Sequence, residues 1–133
     1  MSNMLQDLLP PDLKLLLNVE TRTLSLLCIS SSSILVQKQL TRNEWSLFTV
    51  LVTNHPHYAP YEVLLASLTS LSPDACRVQL HKAQREGAVA LTQELKPVYR
   101  ALSSLRIKLK AIYPPLKIYH IRDTGYGFAV APS

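Results

Sequence analysis

The stretch Thr41-Arg42-Asn43-Glu44-Trp45-Ser46-Leu47-Phe48 decides how the middle of this chain folds. A threonine followed three residues later by a glutamate is a capping box. The hydroxyl oxygen accepts from the third helical N–H, and the carboxylate returns to the cap's own N–H. A helix therefore begins here. Trp45, Phe48 and Val52, with Leu47 and Leu51, recur at helical spacing and form an apolar stripe that ends near Asn54, ahead of His55-Pro56. On that stripe Trp45 and Phe48 read as core residues rather than as platforms for stacking bases.

Upstream, Leu13 to Thr21 reads as a strand closed by a turn at Glu20-Thr21-Arg22. Thr23 to Ile29 and Ile34 to Leu40 are two further strand-like runs separated by Ser30 to Ser33, so residues 13–40 predict a small antiparallel sheet. Downstream, Pro60 suits the first turn of a second helix continuing to Leu68, because the N–H it lacks would be unpaired there.

Residues 69–96 predict one more helix at about 73–86. Ser72-Pro73-Asp74 is a start signal and Gly87 a stop. Its apolar face, Cys76, Leu80 and Ala83, is thin and predicts packing on the domain or on a second copy. Arg77, His81 and Arg85 fall on one polar face at intervals of four. The next helix is predicted over 97–112, where Val98, Leu102, Leu105, Leu109 and Ile112 face the core at intervals of four, three, four and three. Pro114-Pro115 stops it, and Leu116 to Ile121 and Tyr126 to Val130 form a terminal hairpin around Arg122 to Gly125. The fold class is α+β.

By 100° steps, the face of the 97–112 helix opposite its core stripe carries Tyr99, Arg100, Ser103, Ser104, Ile107 and Lys110, flanked by Arg106 and Lys108. This is a basic, hydrogen-bonding face. Charge along the chain points the same way. Residues 1–71 hold four cationic and five anionic side chains, whereas residues 72–133 hold ten and four, so the net +5 sits entirely in the second half. Such polarity favours a polyanionic partner.

Other chemistries find little support. Cys28 and Cys76 lack CxxC or Cys/His ligand spacing, which argues against a disulfide framework or zinc and predicts a reducing, cytoplasmic compartment. His55 and His57 flank a proline without matched ligands. No Gly-x-Ser-x-Gly elbow occurs, and Gly125-Tyr126-Gly127 lacks the third glycine and the following helix of a nucleotide loop. No enzyme, metal or cofactor is expected. Met1 to Leu9 has no basic leader region, and no apolar run approaches the roughly 18 residues a membrane span requires.

Three segments, in order, resemble the OmpR/PhoB-type winged helix, the output domain of bacterial response regulators. Leu40 to Phe48 is similar to that family's L-T-x-x-E-[FW]-x-L-[LF] signature. Val98 to Leu109 is similar to its V-x-x-x-[IL]-x-x-L-R-x-K-L recognition helix, and Ile118 to Phe128 to its I-x-T-[VI]-R-G-x-G-Y-x-[FL] wing. The resemblance implies a winged helix-turn-helix with residues 13–40 as the sheet, 41–68 as the first two helices, 69–96 as an insertion, 97–112 as the recognition helix and 116–130 as the wing. It implies a bacterial transcription regulator that binds double-stranded DNA as a dimer or as tandem copies, with the recognition helix in the major groove.

On that reading Tyr99, Arg100, Ser103, Ser104, Ile107 and Lys110 meet base edges, while Arg106, Lys108, Arg122 and Thr124 meet phosphates or belong to the wing. The chain departs from the family in three places. No receiver domain is expected ahead of it, and so no regulation by phosphorylation. Serines stand at 103 and 104 where arginines are frequent, and Asp123 replaces the wing glycine. Residues 69–96 exceed the short loop that touches RNA polymerase in the family, so an alternative reading makes the chain an interaction module whose Arg77, His81 and Arg85 bind RNA polymerase or another regulator.

Overall fold

The computed structural model describes residues 8–131. It is an α+β arrangement of four helices and two three-stranded antiparallel sheets. The first sheet has the order β1-β2-β3, from Leu13–Asn18 (β1), Thr23–Cys28 (β2) and Ser33–Gln39 (β3). Leu17 faces Leu24 and Leu15 faces Leu26 in this register, and Leu15, Leu24 and Leu26 are buried on its inner side. The two turns close through residues in the left-handed region, Arg22 (φ 54°) and Ser32 (φ 52°). A register shift between Leu26 and Leu27 leaves Leu35 on the edge strand without an opposite residue, which bends that edge.

Helix α1 (Arg42–Asn54) starts with the expected capping box, Glu44 N to Thr41 Oγ1 at 3.2 Å and Thr41 N to Glu44 Oε1 at 2.7 Å. Leu47, Phe48 and Leu51 are fully buried, and Trp45 and Val52 pack against them half-buried. Phe48 meets Phe128 edge-to-face at 5.8 Å, which joins α1 to the second sheet.

That sheet contains a strand the sequence reading did not foresee. Ala59–Pro60 (β4) pairs with Gly125–Val130 (β6), which pairs in turn with Leu116–Ile121 (β5), giving the order β4-β6-β5. Pro60 is extended (ψ 155°) and precedes helix α2 (Tyr61–Leu68) instead of occupying its first turn. An edge strand tolerates a residue with no N–H, so the proline fits here equally well. Gly125 is required by this pairing, because a Cβ at that position would lie 2.0 Å from the Ala59 carbonyl oxygen.

Helix α3 (Pro73–Glu86) matches the expected bounds, with Ser72 Oγ accepting from Ala75 N at 3.1 Å. Its face of Cys76, Leu80 and Ala83 is buried within the chain itself, so α3 packs on the domain. Gly87, at φ 123°, ends α3 and is also the residue from which α4 starts.

Helix α4 is the main correction. It runs over Ala88–Ile112, nine residues further back than the expected start at Pro97, and Pro97 lies inside it. A mid-helix proline removes one backbone bond and costs about 3 kcal/mol. Upstream of it, Leu95 is fully buried and Leu91 partly so, continuing the spacing of Val98 and Leu102. Burial of such side chains contributes about 1.5–3 kcal/mol each, enough to offset the proline. All five expected core residues, Val98, Leu102, Leu105, Leu109 and Ile112, are buried. The hairpin turn holds Asp123 at φ 60°, a conformation Asp tolerates better than most residues. Among the described residues no helix is long and apolar enough to cross a membrane.

Candidate nucleic-acid interface

Burial of one side of α4 fixes which residues form the other. Lys96, Arg100, Ser103, Ile107 and Lys110 are exposed and follow one another at intervals of four, three, four and three, with Arg106 exposed at one margin. Between Lys96 and Lys110 the chain has no Asp or Glu. The stripe is about 21 Å long at 1.5 Å per residue. On one side of it, Thr41 and Asn43 at the start of α1 join Gln93, Lys96, Arg100 and Ser104 in lining a shallow groove of about 440 Å³.

The hairpin lies along the other side. Arg106 Nη2 donates to the Ile118 carbonyl at 3.2 Å, and its guanidinium sits 5.7 Å from the Tyr126 ring centroid, a cation–π distance. His120 stacks on Tyr126 at 4.5 Å, and its Nε2 lies 2.6 Å from Tyr61 Oη. The Tyr61 hydroxyl is pushed up to about 12, first by burial and then by the neighbouring Tyr99, Tyr126 and Asp123, so it is neutral across the physiological range. The turn is held from below as well, since Tyr61 N donates to the Thr124 carbonyl at 3.1 Å and Thr124 Oγ1 to the Arg122 carbonyl at 3.1 Å. Arg122 itself projects into solvent, its side chain 94% exposed, with only a 3.9 Å approach to Asp123.

Three expected contact residues are engaged by the protein itself. Tyr99 is half-buried against the core; burial raises its hydroxyl pKa, and its field acts on Tyr61 and Tyr126. Ser104 is half-buried, its Oγ donating to the Ala101 carbonyl at 3.1 Å. Lys108 turns inward, its Nζ 2.7 Å from Glu44 Oε1 and 3.0 Å from the Gln39 carbonyl. Burial alone would raise the Glu44 carboxyl pKa, but the hydrogen bonds from Lys108 and Thr41, with the Ser104 hydroxyl close by, outweigh it and hold the carboxyl below its usual range. Lys108 is therefore a partner for a buried charge. The 100° wheel could not separate it from the cations of the stripe, because it sits at the margin where α4 meets α1.

Lys96 was missed for the opposite reason. It lies seven residues before Ser103 and fourteen before Lys110, so it belongs to the same face once the helix is carried through Pro97. On α3, Arg77 is held by Glu62 at 3.2 Å and Asp74 at 3.1 Å. His81 lines a small cavity of about 120 Å³ with Tyr61, Glu62 and Thr124, and Arg85 is exposed near the helix end. Among the described residues no group of three or more His, Cys, Asp or Glu side chains is placed to hold a metal ion.

Comparison with known proteins finds no family model, no curated relative and no solved structure that matches this chain, so a reading of this face stands on its own residues.

Proposed function

We propose that the chain is a winged helix-turn-helix module that binds double-stranded DNA and regulates transcription, with α4 in the major groove and the β5–β6 hairpin as the wing. The acid-free, cationic stripe of α4 carries this reading. Lys96, Arg100, Arg106 and Lys110 stand along an exposed helix face beside a hairpin tipped by Arg122, and a helix of this width fits the major groove. Arg100, Ser103, Ile107 and Lys110 approach base edges in this arrangement. Arg106 and Arg122 approach phosphates, and Thr124 shapes the wing turn. Tyr99 and Lys108 serve the architecture behind the stripe, and Ser104, at the edge of the groove, donates its hydroxyl to the helix backbone.

A dimer or tandem pair on DNA suits so small a module, because one copy buries limited surface. A bacterial, cytoplasmic setting suits its two free thiols, Cys28 and Cys76. The rival reading, in which α3 docks RNA polymerase or another regulator through Arg77, His81 and Arg85, has less free charge to draw on, since two carboxylates already engage Arg77.

Fluorescence anisotropy with duplex DNA across a salt series tests the proposal. With about four phosphate contacts, log affinity falls against log salt with a slope near −3.6. A folded Arg100→Ala, Lys110→Ala, Arg122→Ala triple variant binds more weakly and with a shallower slope. Equal binding by that variant, or no binding of the native chain at low salt, defeats the assignment.

A further inference from the structure

Ile107 stands out on the stripe by its chemistry and not by its exposure, which Val19, Val78 and Val89 share elsewhere. It is 72% exposed, it is the only large aliphatic side chain on the exposed face between Lys96 and Lys110, and the core behind it is complete without it. Its neighbours one turn away, at spacings of three and four, are Ser103, Ser104, Lys110 and Ala111. None of these extends it into an apolar patch, and protein-docking surfaces are built from patches of several hundred Å². A lone isoleucine set among two serines, a lysine and a single alanine suits a surface that is mostly anionic and polar but offers isolated methyl groups. The major groove is such a surface, because its only apolar feature is the thymine 5-methyl group.

We infer that Ile107 is a specificity-determining residue that packs on a thymine methyl, so that the stripe prefers duplexes with an A·T pair at the step opposite the C-terminal half of α4. Arg100 and Lys110, on either side of it along the helix, supply the charge that brings the groove to it, and Ile107 adds the discrimination they lack. This inference rests on the DNA-binding reading above.

Two probes isolate the methyl group: a short alternating dA·dT duplex, and the same duplex with deoxyuridine in place of every thymidine. Anisotropy titrations of the native chain and of Ile107→Ala against both give four affinities. Because the side chain is exposed, Ile107→Ala is expected to melt with the native chain, which thermal unfolding checks. The native chain should bind the thymidine duplex about fourfold more tightly per methyl contacted, and Ile107→Ala should bind the two duplexes equally. Equal native affinity for both duplexes overturns the inference while leaving DNA binding intact. So does a thymidine preference that survives in Ile107→Ala, because it then comes from duplex shape. Absence of binding to either duplex at low salt overturns the DNA-binding reading itself.

Discussion

Lys108 Nζ lies 2.7 Å from Glu44 Oε1, and the same oxygen receives the Thr41 backbone N–H at 2.7 Å, so one buried carboxylate atom both caps α1 and fastens it to α4. Removing the cation strands a charge that is nearly sealed from solvent. Lys108→Met should destabilise the fold by about 3 kcal/mol, at the low end for breaking such a pair because Lys108 retains 30% exposure. Chemical denaturation of this variant beside Arg100→Ala, which should change stability by under about 0.5 kcal/mol, checks the contrast.

The same carboxylate gives stability a definite pH dependence. Its folded pKa is depressed, so the unfolded chain binds the proton more readily. The contribution is fully present above the unfolded pKa and is lost as pH falls through the folded one. Urea midpoints measured from neutrality down to about pH 3 should therefore decline more steeply for the native chain than for Glu44→Gln. Parallel curves would contradict the assigned ion pair.

Pro97 allows a direct test of where α4 begins. As an interior residue it withholds an N–H from the ladder, so Pro97→Ala should stabilise the protein by about 2–2.6 kcal/mol after the greater freedom of the unfolded chain is subtracted. A helix that started at Pro97 would respond in the opposite sense, because proline is favoured in a first turn. Thermal melting distinguishes the two.

Gly125 and Gly127 should respond unequally to alanine. A Cβ at 125 meets the Ala59 carbonyl oxygen at 2.0 Å, where only backbone could give way, whereas at 127 it meets the ring of Tyr119, an exposed side chain able to swing aside. Gly125→Ala should cost about 3 kcal/mol or more and Gly127→Ala about 1 kcal/mol. Equal losses, read from denaturant midpoints, would argue against the β4–β6 contact.

Lys96→Ala should reduce the salt slope of duplex binding by about 0.9 if that cation releases one counterion. Lys108→Gln, compared where it remains folded, should leave the slope unchanged, since its charge is already neutralised by Glu44. A slope change in Lys108→Gln alone would reverse the two roles.

The legible parts of this fold are those where local chemistry and tertiary packing agree. The capping box at Thr41, the α3 start at Ser72 and the hairpin turn around Arg122 to Gly125 each depend on a few neighbouring atoms, and each occurs as read. The start of α4 was not legible because proline speaks locally against a helix, whereas the burial of Leu95 that overrides it depends on residues far away in sequence. β4 was hidden for a related reason, as two residues carry no period and the strand exists only through its pairing with Tyr126 and Gly125. In the stripe, the helical wheel placed Arg100, Ser103, Ile107 and Lys110 correctly on the outside. It could not show that Lys108 turns back toward Glu44, or that Tyr99 is taken half-buried into packing against the core.

Gly87 is the whole of the connection between α3 and α4. With one residue there is no slack, and the relative pose of the two helices is governed by a single pair of backbone angles together with the packing of Leu80 and Ala83. The two helices are thus joined without a spacer, and the cationic face of α4 is set, one residue on in the chain, by the same junction that seats the buried face of α3.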